Sequence, residues 1–596
     1  MIYCLTDNTY TEAVMENVNV PRNEYPRPQF MRGCDSWMNL NGKWEFELDL
    51  SASGSERHLD TAEHLSGEIT VPFVPESDLS GVGYTDFVTS VWYKRRIELS
   101  GDALGGRVLL HFGAVDDFAT VWINGSLAGC HRGGYTPFTL DITALVNEGA
   151  NTITVHAEDD VKDVLQPSGK QSARWANYSC FYTRSTGIWQ TVWLEFVPKT
   201  YIKTVKIIPD VANEKADVTV IFDGYENVKE LRAVAAFDGD EVSAVDVNVT
   251  GKSVTFALPI TDPVLWDIGK GNLYDLCVTA GDDMLSCYFG MRSVEVDGYK
   301  VRLNGRSIFQ RLVLDQGYFE KGIYTAESDE DFERDIKLSM SAGFNGARMH
   351  MKVFEPRFIY HADRLGYLLW GEFANWGLDT TKDGAFGRMA PAWREEIERD
   401  ISSPAIIGWC PLNEVWTRDN NEFVRNMFDL TKTLDPSRPV IDISGFMHSD
   451  VTDIYDVHDY VQEVDEFRKH YDPLVTGEGE AYVNYPDFEK RDPNIPYFVS
   501  EFGGTFWDPN ESDDGGDDQN NSWGYGKKPD SREEFYSRFE GLVSTLLDNE
   551  RVCGFCYTQF TDVMQEQNGV FRFDRTPKFD TERLRAIVSR RAAIED

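Results

Sequence analysis

"AIIGWCPLNE", residues 405–414, is an apolar run that stops abruptly at an amide and a carboxylate. It is too short for an independent helix and has the length of a strand buried on both faces. It also has company. "RSIFQRLVL" (306–314), "NGARMH" (345–350), "YLLWGEF" (367–373), "RPVIDIS" (438–444), "TDIYDVHDY" (452–460), "PYFVSEFGG" (496–504) and "VCGFCYTQF" (552–560) are similar short segments. Helical patterns separate them, as in "SDEDFERDIKLSMSAGFN", where Ser328 is the expected N-cap with Asp331 three residues on and Gly343 closes the helix. A second start, "SREEFYSRFEGLVSTLL", has Ser531 and Glu534 in capping-box spacing. Eight β/α units over residues 299–596 predict a C-terminal (β/α)8 TIM barrel. The competing doubly wound sheet carries a glycine-rich phosphate loop after its first strand, and this chain has none there.

Working back toward the N-terminus, the pattern is all-β. "RVLLHFGAVDDFATVWINGSLAG" holds two β-rich segments with Asn124-Gly125 as the turn. The expected organisation is multidomain β and α/β: an N-terminal β-sandwich of jelly-roll type over 1–199, an immunoglobulin-like β-sandwich over 200–298, and the barrel. A chain of 596 residues is too long for one core in any case.

Composition excludes some functions. The formal charge of −41 argues against nucleic acid, whose phosphates need a basic patch, and against an anionic membrane surface. A locally basic site can still take an acidic small molecule. No uncharged apolar run reaches the ~18 residues of a membrane span, and the opening "MIYCLTDNTYTEAVMENVNV" lacks the pattern of a signal peptide. Nine cysteines without framework spacing suggest reduced thiols and a cytoplasmic location. Cys553 and Cys556 form a C-x-x-C with no second pair, which we read as two buried thiols. No Cys/His/Asp cluster has ligand spacing, so neither a metal nor a cofactor is expected.

Barrel strands deliver working groups at their C-terminal ends, so Glu414 and Glu501 should emerge on one rim. Two carboxylates facing one cleft can divide the labour, one protonated as an acid and the other ionised as a nucleophile. That pair is what glycoside hydrolysis requires.

"PLNEVW" (411–416) and "VSEFGG" (499–504) resemble the acid/base and nucleophile segments of glycoside hydrolase family 2, which includes β-galactosidases and β-glucuronidases. The resemblance runs the length of the chain. "PRPQFMRGCDSWMNLNGKWEFELD" is similar to the family's sandwich opening, "VDDFATVWINGSLAGCHRGGYTPFTLDIT" to its sugar-binding core and "STGIWQTVWLE" to that domain's exit. It implies Glu414 as general acid/base, Asn413 as ligand of the sugar 2-hydroxyl and Glu501 as nucleophile. The implied activity is that of a retaining exo-β-glycosidase, β-galactosidase-like, with a carbohydrate glycoside as partner. Association between copies of the chain is left open. A β-uronidase, acting on galacturonides or glucuronides, is the alternative, and a catalytically inactive carbohydrate-binding protein is the rival of another class.

Both standard specificities lack a feature. The strand-one end reads "RLVLDQGYF" rather than a histidine-rich stretch. "QEQNGVFRFDRTPKF" lacks the Asn-x-Lys motif, because Asn568 is followed by Gly569 and Val570. Tyr557 stands for the family's strand-eight tryptophan. "RMHMK" offers Arg348, His350 and Lys352 in alternation as a carboxylate clamp, or else Arg348 merely pairs with an acid such as Glu372. Asp315 could hold a hydroxyl or cap its own loop. His458 and Tyr460 should point the same way, with Tyr460 placed to bond the nucleophile. Trp507, Trp523 and Tyr525 are candidate stacking surfaces beside the Asp/Gly-rich loop 508–530, which matches no calcium-loop pattern.

Overall fold

The computed structural model describes residues 20–418, 421–508 and 522–596. The readings of the first 19 residues and of the acidic centre of the 508–530 loop fall outside them.

Two antiparallel sheets form the N-terminal sandwich. One has four strands, in the order Trp37–Asn39, Val192–Val197, Arg107–Phe112, Phe138–Asp141. The other has six, Gly67–Val71, Gly42–Leu48, Ser90–Leu99, Gly149–Glu158, Phe118–Ile123, Ser126–Arg132. The expected hairpin is there: Asn124 and Gly125 both take positive φ (52° and 78°), the conformation that matches a two-residue turn to the twist of its strands. Alternate residues such as Trp44, Val91, Tyr93, Leu110, Val121 and Val155 fill the space between the sheets. Residues 201–289 form the immunoglobulin-like sandwich, three strands (Tyr201–Asp210, Lys215–Asp223, Ser253–Pro259) packed on four (Asp240–Asn248, Glu230–Phe237, Tyr274–Ala280, Asp283–Phe289).

The C-terminal region is a TIM barrel whose parallel ladder holds seven strands: Ile406–Cys410, Leu368–Glu372, Gly346–Met349, Gln310–Asp315, Val552–Thr558, Tyr497–Gly503 and Tyr455–Asp459, in that order. The eighth expected strand, "RPVIDIS", is an extended segment that touches the ladder only at isolated bridges, Trp409 to Val440 and Asn413 to Ser444. Side chains close the gap on its other side. The Asp456 carboxylate accepts from Ser444 Oγ (3.0 Å) and from the Gly445 N–H (3.0 Å). Helices flank the barrel. Ser328 and Asp331 make the reciprocal capping box at Asp329–Ser341. Ser531 caps Arg532–Leu547, but Glu534 returns to the Asp530 N–H (2.7 Å) instead of that of Ser531.

The N-terminal sandwich does not stand apart from the barrel. Between the Gly149–Glu158 strand and the bridge pair at 187–188, its chain runs over the barrel's C-terminal rim. Tyr135, Tyr182 and Trp189 pack there against Tyr318 and Tyr324 of the barrel. Among the described residues no helix is long and apolar enough to cross a membrane. Cys553 and Cys556 are buried free thiols.

Candidate active site

Strand parity decides which side chains reach the barrel interior. Arg348 pairs in register with Leu314 on one side and Trp370 on the other, and all three point inward. Its guanidinium is fully buried and fully committed. Nε bonds Glu372, Nη1 donates to the Ser500 carbonyl (2.8 Å) and Glu501 Oε1 (3.2 Å), and Nη2 to Asn413 Oδ1 (3.3 Å). Arg348 therefore ties the ends of three strands together.

Glu501 is the hub of this network. Oε2 accepts from the Tyr460 hydroxyl, while Oε1 faces Arg348 and also His458 Nε2 at 3.3 Å. Burial alone would raise its pKa. The charges of His458, Arg348 and Lys170 outweigh that and hold it at about 2. Tyr460, pushed well above the usual phenol range by burial and then by Glu501, keeps its proton and stays a donor.

Glu414 follows the Ile406–Cys410 strand in a left-handed conformation (φ 51°), a strained backbone held by its N–H bond to the Ser444 carbonyl (3.0 Å). The turn aims its side chain across the barrel mouth, partly open to solvent. His458 Nδ1 lies 2.9 Å from Glu414 Oε1, so one imidazole spans both carboxylates. One oxygen of Glu414, one of Glu501 and a His458 nitrogen all lie within 4.8 Å of one another, a set that could also hold a cation. Burial would drive His458 neutral, yet Glu501 and Glu414 raise its pKa above the ordinary value. His350, 3.3 Å from Glu372 and 3.9 Å from Glu501, goes the other way. Burial and then the Lys170 charge lower its pKa well below normal. Asn413 is fixed through its backbone: its N–H bonds Asn375 Oδ1 (2.9 Å), and its carbonyl accepts from the Trp376 indole (3.1 Å).

The sandwich supplies the opposite wall. Its 168–170 loop bonds to the 374–376 turn, through Ser168 N–H to the Trp376 carbonyl (2.7 Å) and Gly169 N–H to the Ala374 carbonyl (3.2 Å). Lys170 Nζ then lies 4.7 Å from the Trp376 ring centre. Glu566 is buried nearby, accepting from Tyr182 Oη (2.5 Å) and Asn568 Nδ2 (3.0 Å). Trp523 donates to the Ser179 carbonyl (2.7 Å), and Tyr525 stacks flat on Tyr460 at 3.5 Å. Beyond Glu414, the half-exposed Trp416 packs against Phe446 and Tyr485.

Four expected ligands lie elsewhere. Asp315 pairs in register with Met349, one residue off the Leu314–Arg348 pair. It therefore faces away from the interior and accepts the Gly317 N–H (2.8 Å) as a loop cap. Lys352 leaves the alternation because Met351 has φ 55°. It is buried in the sandwich–barrel contact, donating to the Gly317 and Tyr324 carbonyls (2.6 and 2.8 Å). The "RMHMK" cations thus form no clamp, and Arg348 pairs with Glu372. Trp507 follows two positive-φ glycines, Gly503 and Gly504, and packs against Phe535 and Phe579 on the helix side. Tyr557 sits between Phe502 and Phe539, and its neighbour Thr558 faces Tyr460 instead (3.4 Å).

Lys170, Trp376 and Glu566 carry no motif. The signal available for Lys170 was loop length: some 28 residues without a strand between 158 and 187 are long for a connection within a sandwich, and such loops tend to be functional.

Comparison with known proteins agrees with this architecture. Residues 37–194 match the sugar-binding-domain model of glycosyl hydrolases family 2, and residues 200–292 match a second model of that family. A β-galactosidase of Thermoanaerobacter pseudethanolicus is 27% identical over 395 residues, covering 63% of this chain and 51% of that protein. A β-glucuronidase of Paenibacillus borealis is 24% identical over 440 residues, covering 67% and 72%. A relative from Formosa agariphila is 27% identical over 431 residues, covering 66% and 51%, so the chain spans about half the length of some curated relatives it matches. The solved structure of a β-glucuronidase from Ruminococcus gnavus in complex with D-glucuronic acid shares the fold at a TM-score of 0.76 and 19% identity, covering 95% of this chain and 100% of that one. From residue 37 to residue 292 the chain matches the models of glycoside hydrolase family 2, and its strand-end glutamates resemble those of that family.

Proposed function

We propose that the protein is a retaining exo-β-glycosidase in which Glu501 is the nucleophile and Glu414 the general acid/base. The observation that carries this is the approach of the two carboxylates, with oxygens within 4.8 Å. Retaining enzymes place their carboxyls about 5–5.5 Å apart, while inverting ones leave about 6.5–9.5 Å for a water. Their surroundings differ as the two roles demand. Glu501 is buried among cations and held ionised at about 2, whereas Glu414 meets solvent and a single histidine.

In the first step a Glu501 oxygen attacks the anomeric carbon, the glycosidic bond breaks, and Glu414 gives its proton to the departing oxygen. In the second, Glu414 takes a proton from water, the hydroxide displaces Glu501, and the sugar leaves with its original configuration. Tyr460 holds the Glu501 oxygen that is not engaged by Arg348 and His458, which orients the carboxylate for attack. Asn413, held at both its backbone groups, would take the 2-hydroxyl. The sandwich wall over the rim supports action on a terminal sugar.

For the glycone, the solved structures of similar fold are named β-glucuronidases, and relatives carry both β-glucuronidase and β-galactosidase names. This supports a β-uronide over the β-galactoside that motif resemblance first suggested. An inactive carbohydrate-binding protein would need neither the depressed carboxyl nor its partner. A nitrophenyl β-glycoside panel, with wild type beside Glu501→Gln and the product anomer followed by NMR, tests the scheme. Turnover with retention that is lost in the variant supports it; inversion, or no turnover of any sugar, ends it.

A further inference from the structure

We infer that Lys170, contributed by the N-terminal sandwich and not by the barrel, is the residue that selects an anionic glycone by binding its carboxylate. The inference rests on the glycosidase reading above and deepens it.

Lys170 is only 7% exposed, yet among the described residues its ammonium has no hydrogen-bond or ion-pair partner. The Trp376 ring lies 4.7 Å from it, and the Cys180 thiol and the Glu566, Glu501 and Glu414 side chains act on it from farther off without bonding it. Most of the side chain is buried, but the ammonium is not one of the sealed, unpartnered polar groups: its three donors keep a contact with solvent that a ligand carboxylate can replace. The carboxylates in its neighbourhood do not take those donors. Glu566 is bonded to Tyr182 and Asn568, and Glu501 to Tyr460, Arg348 and His458. The other cations on this side of the barrel are committed as well, Arg348 to Glu372, Glu501 and Asn413 and Lys352 to two backbone carbonyls.

The position is also built. The Trp376 indole, under the ammonium, holds the carbonyl of Asn413, the residue before Glu414, so Lys170 is linked through one ring to the reacting end of the cleft. Its backbone is clamped on both sides, by Gly169 N–H to the 374–376 turn and by Lys170 O, which accepts the Tyr182 N–H (2.8 Å). Gly169 has φ 57°, and a Cβ there would come within 2.6 Å of the Met351 carbonyl oxygen. The glycine lets the loop lie close against the barrel immediately before the lysine. A uronide and the corresponding neutral hexoside differ only in the carboxylate at C5, so a single unpaired cation is a sufficient discriminator.

The test compares purified wild type, Lys170→Met, Lys170→Arg and Gly169→Ala on nitrophenyl β-glucuronide, β-galacturonide and β-galactoside, with thermal unfolding as a check on folding. A charge-assisted bond to a carboxylate predicts that Lys170→Met lowers kcat/KM on the preferred uronide by about 10- to 100-fold, mostly through KM. Activity on the galactoside should fall clearly less than on the uronide, since Lys170 is one of several cations acting on Glu501, Lys170→Arg should recover part of the preference, and Gly169→Ala should fall in the same direction as Lys170→Met. An equal fall on charged and neutral sugars would overturn the assignment, as would an unchanged uronide rate. Wild type that hydrolyses galactoside but no uronide also overturns it, while leaving the glycosidase reading intact. Wild type inert on every β-glycoside would sink the glycosidase reading itself.

Discussion

The two walls of the cleft follow opposite rules. On the barrel wall almost every polar group is already bonded: Arg348 reaches four partners, His458 spans both carboxylates, and Tyr460 is tied to Glu501. Where the sandwich meets the barrel, Lys170 has no hydrogen-bond or ion-pair partner among the described residues, and the barrel-loop rings of Trp376, Trp523 and Tyr525 remain partly exposed. Chemistry wants groups that hold the same geometry whether or not substrate is present, because reorganisation at the moment of reaction raises the barrier. Selection wants groups whose partners arrive with the substrate. On the proposed reading the barrel does the bond-breaking and the sandwich selects the sugar.

The sharpest way to break that division is at the carboxylates. Glu501→Gln should abolish turnover on every β-glycoside, charged or neutral, beyond any other single change. Glu414→Gln should cost about 10²–10⁴-fold on alkyl glycosides with poor leaving groups and much less in the first step on nitrophenyl ones, where protonation matters little. Azide should restore the second step in Glu414→Gln by giving a β-glycosyl azide. If the two leaving-group classes fell equally and azide rescued neither, the roles of the glutamates would be misassigned.

Next in size is Arg348→Met, which removes a cation from Glu501 and the link between three strand ends. With Glu501 held at about 2, the acidic limb of kcat/KM in wild type reflects no loss of the nucleophile above the usual carboxyl range. Without Arg348 the Glu501 pKa rises and the limb moves to higher pH, alongside a fall in kcat on charged and neutral sugars alike. Stability should follow the same sign. A carboxyl depressed in the folded state adds stability that is complete above its unfolded value of about 4.3 and is lost as pH falls toward 2, so the variant should lose part of that contribution. A selective loss on uronides alone would instead mean that Arg348 meets the substrate carboxylate and that the division of labour is wrong.

Much of the barrel wall was legible in the sequence because each strand end carries its own signature. "PLNE" and "VSEF" stop apolar runs at charged residues, and strand alternation puts His458 and Tyr460 on one face. The errors came from counting parity without knowing where it breaks. Asp315 and Tyr557 are each one residue off the inward face. Met351 at φ 55° turns Lys352 out of line, and Gly503 and Gly504 reverse the chain before Trp507. The missing ladder at "RPVIDIS" has a similar origin, since side-chain bonds from Asp456 do the work of strand pairing there. Lys170 itself was not singled out by the long loop that carries it, for a different reason. Its meaning depends on where a sandwich loop lands on a barrel more than 200 residues away in sequence, and no local pattern encodes that.

A smaller effect belongs to the seam between the walls. Tyr525 stacks on Tyr460 at 3.5 Å and 7°, so Tyr525→Ala should loosen the donor on Glu501 without removing it. Aromatic pairs contribute about 0.5–1.5 kcal/mol beyond burial, which predicts a fall of about 2- to 10-fold in kcat/KM on all substrates, with Tyr525→Phe close to wild type. A loss confined to KM on one glycone would place Tyr525 with the selecting wall instead.

The smallest effect on activity is expected at Lys352, although it changes stability. Its ammonium lies among Tyr324, Trp189, Phe354 and Phe319 and donates to the Gly317 and Tyr324 carbonyls, between the sandwich and the barrel. Lys352→Met keeps the side chain's bulk but leaves both carbonyls without this donor, a cost of about 1–3 kcal/mol. The pH dependence gives a second readout. Burial lowers the Lys352 pKa to about 7 against about 10.4 in the unfolded chain. Between those values the unfolded state binds one more proton than the folded state, so this residue makes stability rise with pH across that window. Urea unfolding of wild type and Lys352→Met from pH 7 to 10 should show the variant less stable throughout, with a shallower rise. The uronide-to-galactoside ratio should not move. If the ratio collapsed while the unfolding curves coincided, Lys352 would be reaching the substrate and Lys170 would lose its standing as the discriminating cation.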